Sequence, residues 1–431
     1  MHLSRVRIQN IRSIEAFDWA LQPDMPRAGW HVILGDNGTG KSTILRSMAL
    51  ALVGPQEAHA LRQNWEEWLR RGRDQGYAGV IVEFDTDWDV PSGKGKFVEN
   101  WLPAAEIEIH REANRVSLSA LRDSLTNKQP ERHLWGGKRG WFSAAYGPFR
   151  RFSGGDKDVE KIYYTDPRLA RHLTLFGEGV ALTECLSWLK TLHHKALEQE
   201  KRGASDGGEP GQMIRRLKAF VNHADLLPHG ARMEDINSDR VLFVDGNGTQ
   251  IAVEELSDGF RSILSLTFEL IRQLEVCYGS ADLFDPADPS RVVAPGVVLI
   301  DEVDVHLHPT WQRRIGHWFI QAFPNIQFIV ATHSALVCQA ASHGTIYRLS
   351  SPGEPGGGRF VTGVERERLI HGNILEALGT DSFGHVETRS DEGQKMLARL
   401  AELNQRALQA TLTPEERAER EHLRAAFPTG E

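Results

Sequence analysis

A glycine-rich segment near the N-terminus, GDNGTGKS from Gly35 to Ser42, carries residues that could handle phosphate groups. In such a turn, successive backbone N–H groups point at phosphate oxygens, and the following helix adds its positive N-terminal end. Lys41 would neutralise the β- and γ-phosphates of ATP, and the hydroxyl of Ser42 would hold Mg²⁺. The residues predicted to bind the nucleotide are Gly35, Asp36, Asn37, Gly38, Thr39, Gly40, Lys41, Ser42 and Thr43.

An acidic pair follows a wholly apolar run much later in the chain. Residues 297–300 (VVLI) predict a central parallel strand that is covered on both faces, and Asp301 and Glu302 come directly after it. Asp301 could bind Mg²⁺ through its water shell, while Glu302 could orient the water that attacks the γ-phosphate. The alternative interpretation is a solvated acidic turn without a catalytic role.

The next predicted strand, residues 327–331, ends in the sequence Thr332-His333-Ser334. If the two strands are neighbours, His333 lies beside the carboxylates, where an imidazole could donate a hydrogen bond to the γ-phosphate. A purely structural histidine is the alternative. We predict catalytic roles for Glu302 and His333 and a metal site formed by Ser42 and Asp301.

The elements around the glycine-rich segment fit this chemistry. Residues 30–34 predict a buried strand, and Lys41 to Val53 predicts a helix that ends at Gly54-Pro55. Leu3 to Ile14 alternates and predicts an edge or half-buried strand, and residues 79–85 and 105–110 predict further strands. Helical periodicity predominates from residue 166 to about 236, and residues 240–252 predict a hairpin.

A second short motif, LSDGF at Leu256 to Phe260, opens another predicted helix. Ser257 stands at the N-cap position, and apolar residues recur behind it at helical spacing. Taken alone, the motif is also typical of an ordinary capped helix.

The order of GDNGTGKS, LSDGF, VVLIDEVDVHLHP and ATHS, over roughly Met1 to Ser350, resembles the ABC-type ATPase heads of the RecF, SMC and OLD-like group. The resemblance implies an α/β P-loop NTPase fold, an ABC-type head with a β-rich N-terminal lobe, a helical lobe and a C-terminal helical extension. It implies that LSDGF is the signature motif, that Asp301 and Glu302 are the Walker B pair, that His333 is the switch histidine, and that Val303 to Pro309 is the D-loop. In that group two heads sandwich two ATP molecules, so Ser257 and Gly259 would contact the γ-phosphate bound by the partner subunit.

The sequence departs from the pattern of that group in several places. Asp258 and Phe260 stand where the group has glycine and glutamine, and no Q-loop glutamine can be assigned. The stretch GWFSAAYGPFRR, residues 140–151, resembles a segment of small bacterial ATPases. Within this stretch, Tyr146 or Arg150 could contact nucleotide or DNA. The alternating histidines of the D-loop could suggest zinc, but the resemblance makes HLHP an interface loop and no further ligands converge in sequence.

Two domains are predicted: an ATPase head at residues 1–350 and a helical extension at 351–431. A turn-rich break, SPGEPGGG, separates them, and the extension carries an amphipathic helix at 391–408 and a last helix opened by a capping box at 413–416. This hairpin is either a lid on the head or a docking surface for a partner protein. Residues 43–256 hold no sustained heptad pattern, and the residues after His333 do not resemble a Toprim domain.

Composition restricts the class of protein. Of 431 residues, 40% are hydrophobic and 25% charged, with a net charge of −8, which is typical of a globular protein and excludes a broadly basic surface. The sequence has no signal core and no membrane segment, which predicts a cytoplasmic protein. Cys185, Cys277 and Cys338 are widely spaced and predict neither a disulfide nor a metal site.

The favoured hypothesis is an ATP-driven switch: ATP closes a homodimer, hydrolysis opens it, and the cycle gates a separate effector, plausibly a nuclease. It follows from a resemblance to small ATPases of bacterial anti-phage systems of the Septu and retron types. The alternative is a RecF-like ATPase that clamps DNA in repair, with residues 68–71 and 138–152 lining the clamp, although a solvated face is also consistent with both stretches. A transporter ATPase is disfavoured by the long insertion before the signature.

Overall fold

The protein is described from a computed structural model. The structure describes residues 1–61, 63–90, 104–113, 115–121, 130–135, 140–148, 166–177, 183–223, 226–227, 230–354, 356–384, 389–409 and 412–427. These residues form two compact units, Met1–His371 and Gly372–Glu431.

The strands and helices of the chain have the following bounds. The strands are β1 His2–Ile11, β2 Ile14–Ala20, β3 Gly29–Leu34, β4 Gln75–Glu83, β5 Ala104–Glu112, β6 Arg115–Ala120, β7 Ser143–Tyr146, β8 Arg232–Ile236, β9 Val241–Val244, β10 Gln250–Ala252, β11 Gly296–Ile300, β12 Ile326–Thr332, β13 Gly344–Arg348 and β14 Arg359–Phe360. The longer helices are α1 Lys41–Val53, α2 Thr183–Lys201, α3 Gly208–His223, α4 Asp258–Tyr278, α5 Pro309–Ala322, α6 Gly363–His371, α7 Asp391–Gln409 and α8 Pro414–Ala426. Short helical turns lie at Pro55–Ala58, Pro167–Ala170, Leu173–Phe176, Ala335–Cys338 and Ile374–Leu378.

A six-stranded sheet in the order β14-β13-β3-β12-β11-β7 forms the centre of the first unit. All its pairs are parallel except β13 with β14. Every residue of β3, β11 and β12 is buried, which agrees with apolar strands covered on both faces. Leu34 pairs with Thr332, and Ile300 pairs with Val330. The segments that follow β3, β12 and β11 therefore all begin at the carboxyl ends of these strands, on the same edge of the sheet.

A five-stranded antiparallel sheet, β2-β1-β4-β5-β6, forms the β-rich N-terminal lobe. Buried and half-exposed residues alternate along β5, as expected for a sheet with one face on the core. The predicted strand at residues 3–14 is half-buried, but it is not an edge: β1 lies between β2 and β4. The chain turns at Arg12, whose φ of 50° is left-handed, and returns as β2.

Helix α1 lies between the two sheets, with contacts to β1, β4 and β5 on one side and to β7, β11 and β12 on the other. Consequently all its residues except Ser42 and Arg46 are buried, and the helix is covered on two faces. The backbone N–H of Gly54 donates to the carbonyl of Leu50, so the helix ends at the predicted glycine.

The helical lobe contains α2 and α3, which pack on each other, and the small sheet β10-β9-β8. The helical prediction for residues 166–236 is correct for both helices, but β8 lies inside that range as a strand. The predicted hairpin at 240–252 is present as β9 and β10. Among the helices of the described residues, none has both the length and the apolar character that crossing a bilayer requires.

The second unit contains the helical hairpin of α7 and α8, whose apolar contact is formed by Leu400, Leu403, Leu412 and Leu423. The capping box is present: the Thr413 hydroxyl accepts from the backbone N–H of Glu416 at 3.1 Å, and Pro414 is at N1. The unit begins at residue 372, whereas the sequence placed the boundary after 350. The difference arises because β14 pairs with β13 and so attaches residues 359–360 to the central sheet.

Candidate functional site

The P-loop, residues 35–40, connects the buried strand β3 to α1. Gly38 and Gly40 have φ of 84° and 96°, values that L side chains adopt only with strain. A side chain on Gly40 would place its Cβ 2.4 Å from Cδ1 of Ile14. Within the part of the chain that the structure describes, no side chain caps the N-terminus of α1. The first N–H groups of this helix are therefore available to an anion.

Lys41 lies next to both the P-loop and the acidic pair. Its Nζ donates to the carbonyl oxygens of Gly35, at 2.7 Å, and Asp36, at 2.9 Å. Burial lowers the pKa of the Lys41 ammonium, while the nearby carboxylates of Glu302 and Asp301 act in the opposite direction. The fold thus brings together charges that are about 260 positions apart in the sequence.

The acidic pair lies at the end of β11, as predicted. Asp301 is 2% exposed, and its backbone N–H donates to the carbonyl of Tyr146 at 2.8 Å, which anchors this position to β7. Glu302 has a φ of 46°, and His306 in the following loop has a φ of 65°. A non-glycine residue in this conformation costs about 1–2 kcal/mol and is frequent at functional sites.

Asp304 is a third acidic residue at this edge, and the sequence analysis did not assign it a role. It is 5% exposed and accepts a hydrogen bond from the hydroxyl of Thr332 at 2.5 Å. Nε2 of His333 lies 3.6 Å from its other carboxylate oxygen. The strands carrying these residues are neighbours, so His333 does lie beside a carboxylate. The acidic residue paired with it in the structure is Asp304. The sequence DEVD shows that Asp304 is an acidic residue close to Asp301 and Glu302. Only the strand order identifies His333 as its partner.

The signature motif lies against the D-loop, residues 303–309. Ser257 is the N-cap of α4, as predicted, and is exposed; its hydroxyl makes no capping hydrogen bond to any residue in the described ranges. A Cβ on Gly259 would approach the carbonyl oxygen of His306 to 2.9 Å, so the two backbones are in close contact. The ring of Phe260, which replaces the glutamine of the group, meets Trp311 edge to face at 5.8 Å.

A cavity of about 690 Å³ opens beside the P-loop. Its lining includes Gly38 and Thr39, the β1–β2 turn at Ser13, and the loop that follows β13 at Ser351. In the P-loop itself, the carboxylate of Asp36 pairs with Arg348 at 3.3 Å. This cavity has room for the base and ribose of a nucleotide whose phosphates lie on the P-loop.

The residues predicted to hold Mg²⁺ have suitable chemistry. Ser42 offers a hydroxyl and Asp301 a carboxylate, and hard oxygen ligands of this kind suit Mg²⁺, which keeps several waters and substrate phosphate oxygens as its other ligands. His308 has a structural role, because its Nδ1 accepts from the backbone N–H of Thr310 at 3.4 Å and caps α5.

Most of the described residues in the two stretches considered for a DNA clamp are buried, whereas Arg71 is exposed. Trp68 is fully buried and Leu69 is 7% exposed, so neither can stack on a base. Arg70 donates to the carbonyl of Ser13 at 2.6 Å. Tyr146 is buried in β7, whereas Arg150 lies outside the described residues, as do residues 138–139 and the rest of 149–152. Trp68 and Leu69 fit neither a clamp lining nor a solvated face, because their apolar side chains pack into the core of the N-terminal lobe.

Comparisons with known proteins find similarity to ATPases. Residues 185–339 match the family described as "AAA domain, putative AbiEii toxin, Type IV TA system", and residues 5–78 match one described as "AAA domain". "Retron Vc95 probable ATPase" from Vibrio cholerae is 40% identical, over 71% of this chain and 66% of that protein. "Septu protein PtuA" from Bacillus mycoides is 25% identical, over 80% of this chain and 40% of that protein. "Retron Ec83 probable ATPase" from Escherichia coli is 39% identical, over 26% of this chain and 19% of that protein. The chain thus spans less than half the length of the last two relatives.

The similarity of this chain to solved structures is low. "SMC head domain from Thermotoga maritima" is 12% identical with a TM-score of 0.42, covering 84% of this chain and 99% of that one. A recombination mediator protein RecF structure is 11% identical with a TM-score of 0.41, covering 84% and 98%. Both TM-scores lie below 0.5. The predicted fold, an α/β P-loop NTPase of the ABC-type head class, is confirmed by the strand order and the family matches.

Proposed function

Because this chain is an AAA-domain P-loop ATPase similar to the Septu and retron ATPases, we propose that it works as an ATP-driven molecular switch. Two copies close head to tail around two ATP molecules, and hydrolysis opens them again. The cycle gates a separate effector protein.

The observation that carries the proposal is the exposed N-terminus of α4. Ser257 is the exposed N-cap of this 21-residue helix, and Gly259 lies in its first turn. Among the described residues, no side chain caps the first N–H groups of the helix. Such a helix end attracts a phosphate group. The P-loop already supplies an equivalent helix end to the nucleotide of its own subunit. The α4 terminus is therefore the natural contact for the γ-phosphate held by a second copy.

The chemistry follows from the side chains at the sheet edge. Lys41 neutralises the β- and γ-phosphates, and the N–H groups of residues 36–43 bind the phosphate oxygens. Ser42 and Asp301 would hold Mg²⁺, which offsets the negative charge of the triphosphate when it is bound. Glu302 orients the attacking water and accepts its proton. His333, placed by Asp304, donates a hydrogen bond to the γ-phosphate and loses this contact after hydrolysis.

The effector is proposed to be a nuclease-like protein that acts with this ATPase in anti-phage defence, because the curated relatives carry the names of Septu and retron systems. The site of this chain hydrolyses a phosphoanhydride bond of ATP. We therefore assign cleavage of nucleic acid to the partner protein. We place the switch in the cytoplasm, where its substrate ATP is produced and consumed.

Trapping of the closed dimer tests the proposal. Glu302→Gln keeps the shape of the side chain and removes the base, so ATP is bound but not hydrolysed. With Mg²⁺ and ATP, size-exclusion chromatography with light scattering is expected to show a dimer for this variant. Without ATP it is expected to show a monomer.

Two double variants are matched controls for the trap. Lys41→Ala removes the phosphate contact within a subunit, and Ser257→Arg blocks the contact between subunits. Each is expected to abolish the dimer in the Glu302→Gln background. A Glu302→Gln protein that binds ATP and stays monomeric at all concentrations tested would contradict the sandwich mechanism. Tight, salt-sensitive binding of the purified wild type to duplex DNA would favour the DNA-clamping alternative over an effector switch.

A further inference from the structure

The first turn of α5 contacts three segments that the proposed function uses. These are the D-loop, the signature motif at 256–260, and the switch loop, which we define as Thr332–Ser334. Two adjacent residues of α5, Trp311 and Gln312, make all three connections.

Gln312 links the D-loop to the switch loop through one side-chain amide. Its Nε2 donates to the carbonyl oxygen of Leu307 at 3.0 Å and, more weakly, to that of Asp304 at 3.4 Å. Its Oε1 accepts from the hydroxyl of Ser334 at 2.8 Å. Every hydrogen bond of this side chain within the described part of the chain goes to one of these two segments.

Trp311 links the same turn to the signature motif. It is 8% exposed and packs edge to face on Phe260. The close approach of Gly259 to the carbonyl of His306 adds a direct backbone contact between the D-loop and α4. The beginning of α5 therefore touches the loop that precedes it, the loop after β12 and the start of α4.

The type of side chain at position 312 has a chemical reason. A carboxamide is donor and acceptor at once, so one group can hold a carbonyl in one segment and a hydroxyl in another. A glutamate has the same shape but only acceptors when ionised. It would keep the Ser334 contact and turn the Leu307 and Asp304 contacts into repulsions between oxygen atoms.

We propose that Gln312 is a positioning residue for ATP hydrolysis, which holds the D-loop against the switch loop and so sets Glu302 relative to His333. This inference rests on the proposed function, because it assigns those two residues to the hydrolysis step. In the described part of the chain, no hydrogen bond of the Gln312 side chain goes to the P-loop, and Gln312 does not line the neighbouring cavity. Gln312 therefore acts on turnover rather than on nucleotide affinity.

Steady-state ATPase kinetics of Gln312→Glu test the inference. The kcat is expected to fall about tenfold, as is typical when hydrogen bonds that place a catalytic group are lost, while KM for ATP changes less than about twofold. Gln321→Glu makes the same chemical change at an exposed position of α5 and is expected to keep both constants. Ser334→Ala removes a single link and is expected to lower kcat about threefold. Its effect should vanish in the Gln312→Ala background, because both variants break the same contact.

The outcomes separate this inference from the proposed function. If Glu302→Gln does not dimerise with ATP, the sandwich fails whatever Gln312 does. If it dimerises, the Glu302→Gln/Gln312→Glu protein is expected to dimerise equally well, because Gln312 acts after closure. Wild-type kcat in both Gln312→Glu and Ser334→Ala would overturn the positioning role. An equal loss in Gln321→Glu would overturn it too, by showing a general charge effect on α5.

Discussion

Adding a methyl group at Gly40 offers a quantitative test of the P-loop geometry. The φ of 96° costs an alanine about 1–2 kcal/mol. In addition, the new Cβ would lie 2.4 Å from Cδ1 of Ile14, which must leave its rotamer at a further cost of about 1 kcal/mol. Gly40→Ala is therefore expected to destabilise the first unit by about 2–3 kcal/mol.

Gly38 is the matched comparison within the same loop. Its φ of 84° carries the same conformational cost, but a Cβ there would have no steric overlap with the described residues. Gly38→Ala is expected to cost about 1–2 kcal/mol, so the difference between the two variants reports the overlap of the new Cβ with Ile14 and with the Ser13 hydroxyl, which lies 3.0 Å away. Ile14→Val removes the clashing Cδ1 atom. The cost of Gly40→Ala measured in that background is expected to fall by about 1 kcal/mol.

Urea unfolding followed by tryptophan fluorescence provides the free energies, and titration with Mg²⁺-ATP shows the consequence for the site. Because Gly40→Ala displaces the start of α1, this variant is expected to bind ATP about fivefold more weakly than Gly38→Ala does. This ratio corresponds to a difference of about 1 kcal/mol in binding free energy. Equal costs for the two alanine variants, with no relief from Ile14→Val, would refute the reasoning.

Two further predictions concern acid stability and the signature motif. Burial, together with the charges of Arg171 and Arg168, lowers the pKa of His172 to about 3, below its value of about 6.5 in the unfolded chain. The free energy of unfolding therefore decreases as the pH falls below 6.5, by about 2 kcal/mol between pH 7.5 and 5. His172→Gln is expected to remove this part of the pH dependence, as measured by urea unfolding at the two pH values. An unchanged pH dependence in the variant would contradict the assignment. Phe260→Gln restores the residue of the wider group but removes the ring contact with Trp311, worth about 1 kcal/mol. In the Glu302→Gln background, light scattering is expected to show ATP-dependent dimerisation about fivefold weaker with Phe260→Gln than without it, and an intermediate loss with Phe260→Leu. An equal or tighter dimer for Phe260→Gln would exclude a role for this ring pair.

The burial of α1 shows how far pattern alone can reach. The apolar spacing of its residues correctly predicted the helix and its end, because both depend on neighbours within a few positions. The second covered face follows from the antiparallel sheet on its other side, and that sheet is formed by strands that are distant in sequence. Contacts between segments distant in sequence also explain the burial of Trp68, although basic residues follow it closely in the sequence.

The residues proposed for phosphate chemistry were identified from the sequence itself: a glycine-rich turn between strand and helix, an acidic pair behind an apolar strand, and a serine at the N-cap position of a helix are local signals. The tertiary structure decided which side chains work together. Asp304 meets Thr332 and His333 only because β11 and β12 are neighbours, and Gln312 joins the D-loop to the switch loop only because α5 turns back over both. Hydrogen bonds act over about 3 Å, so the partners of a side chain depend on packing between segments that no local pattern specifies.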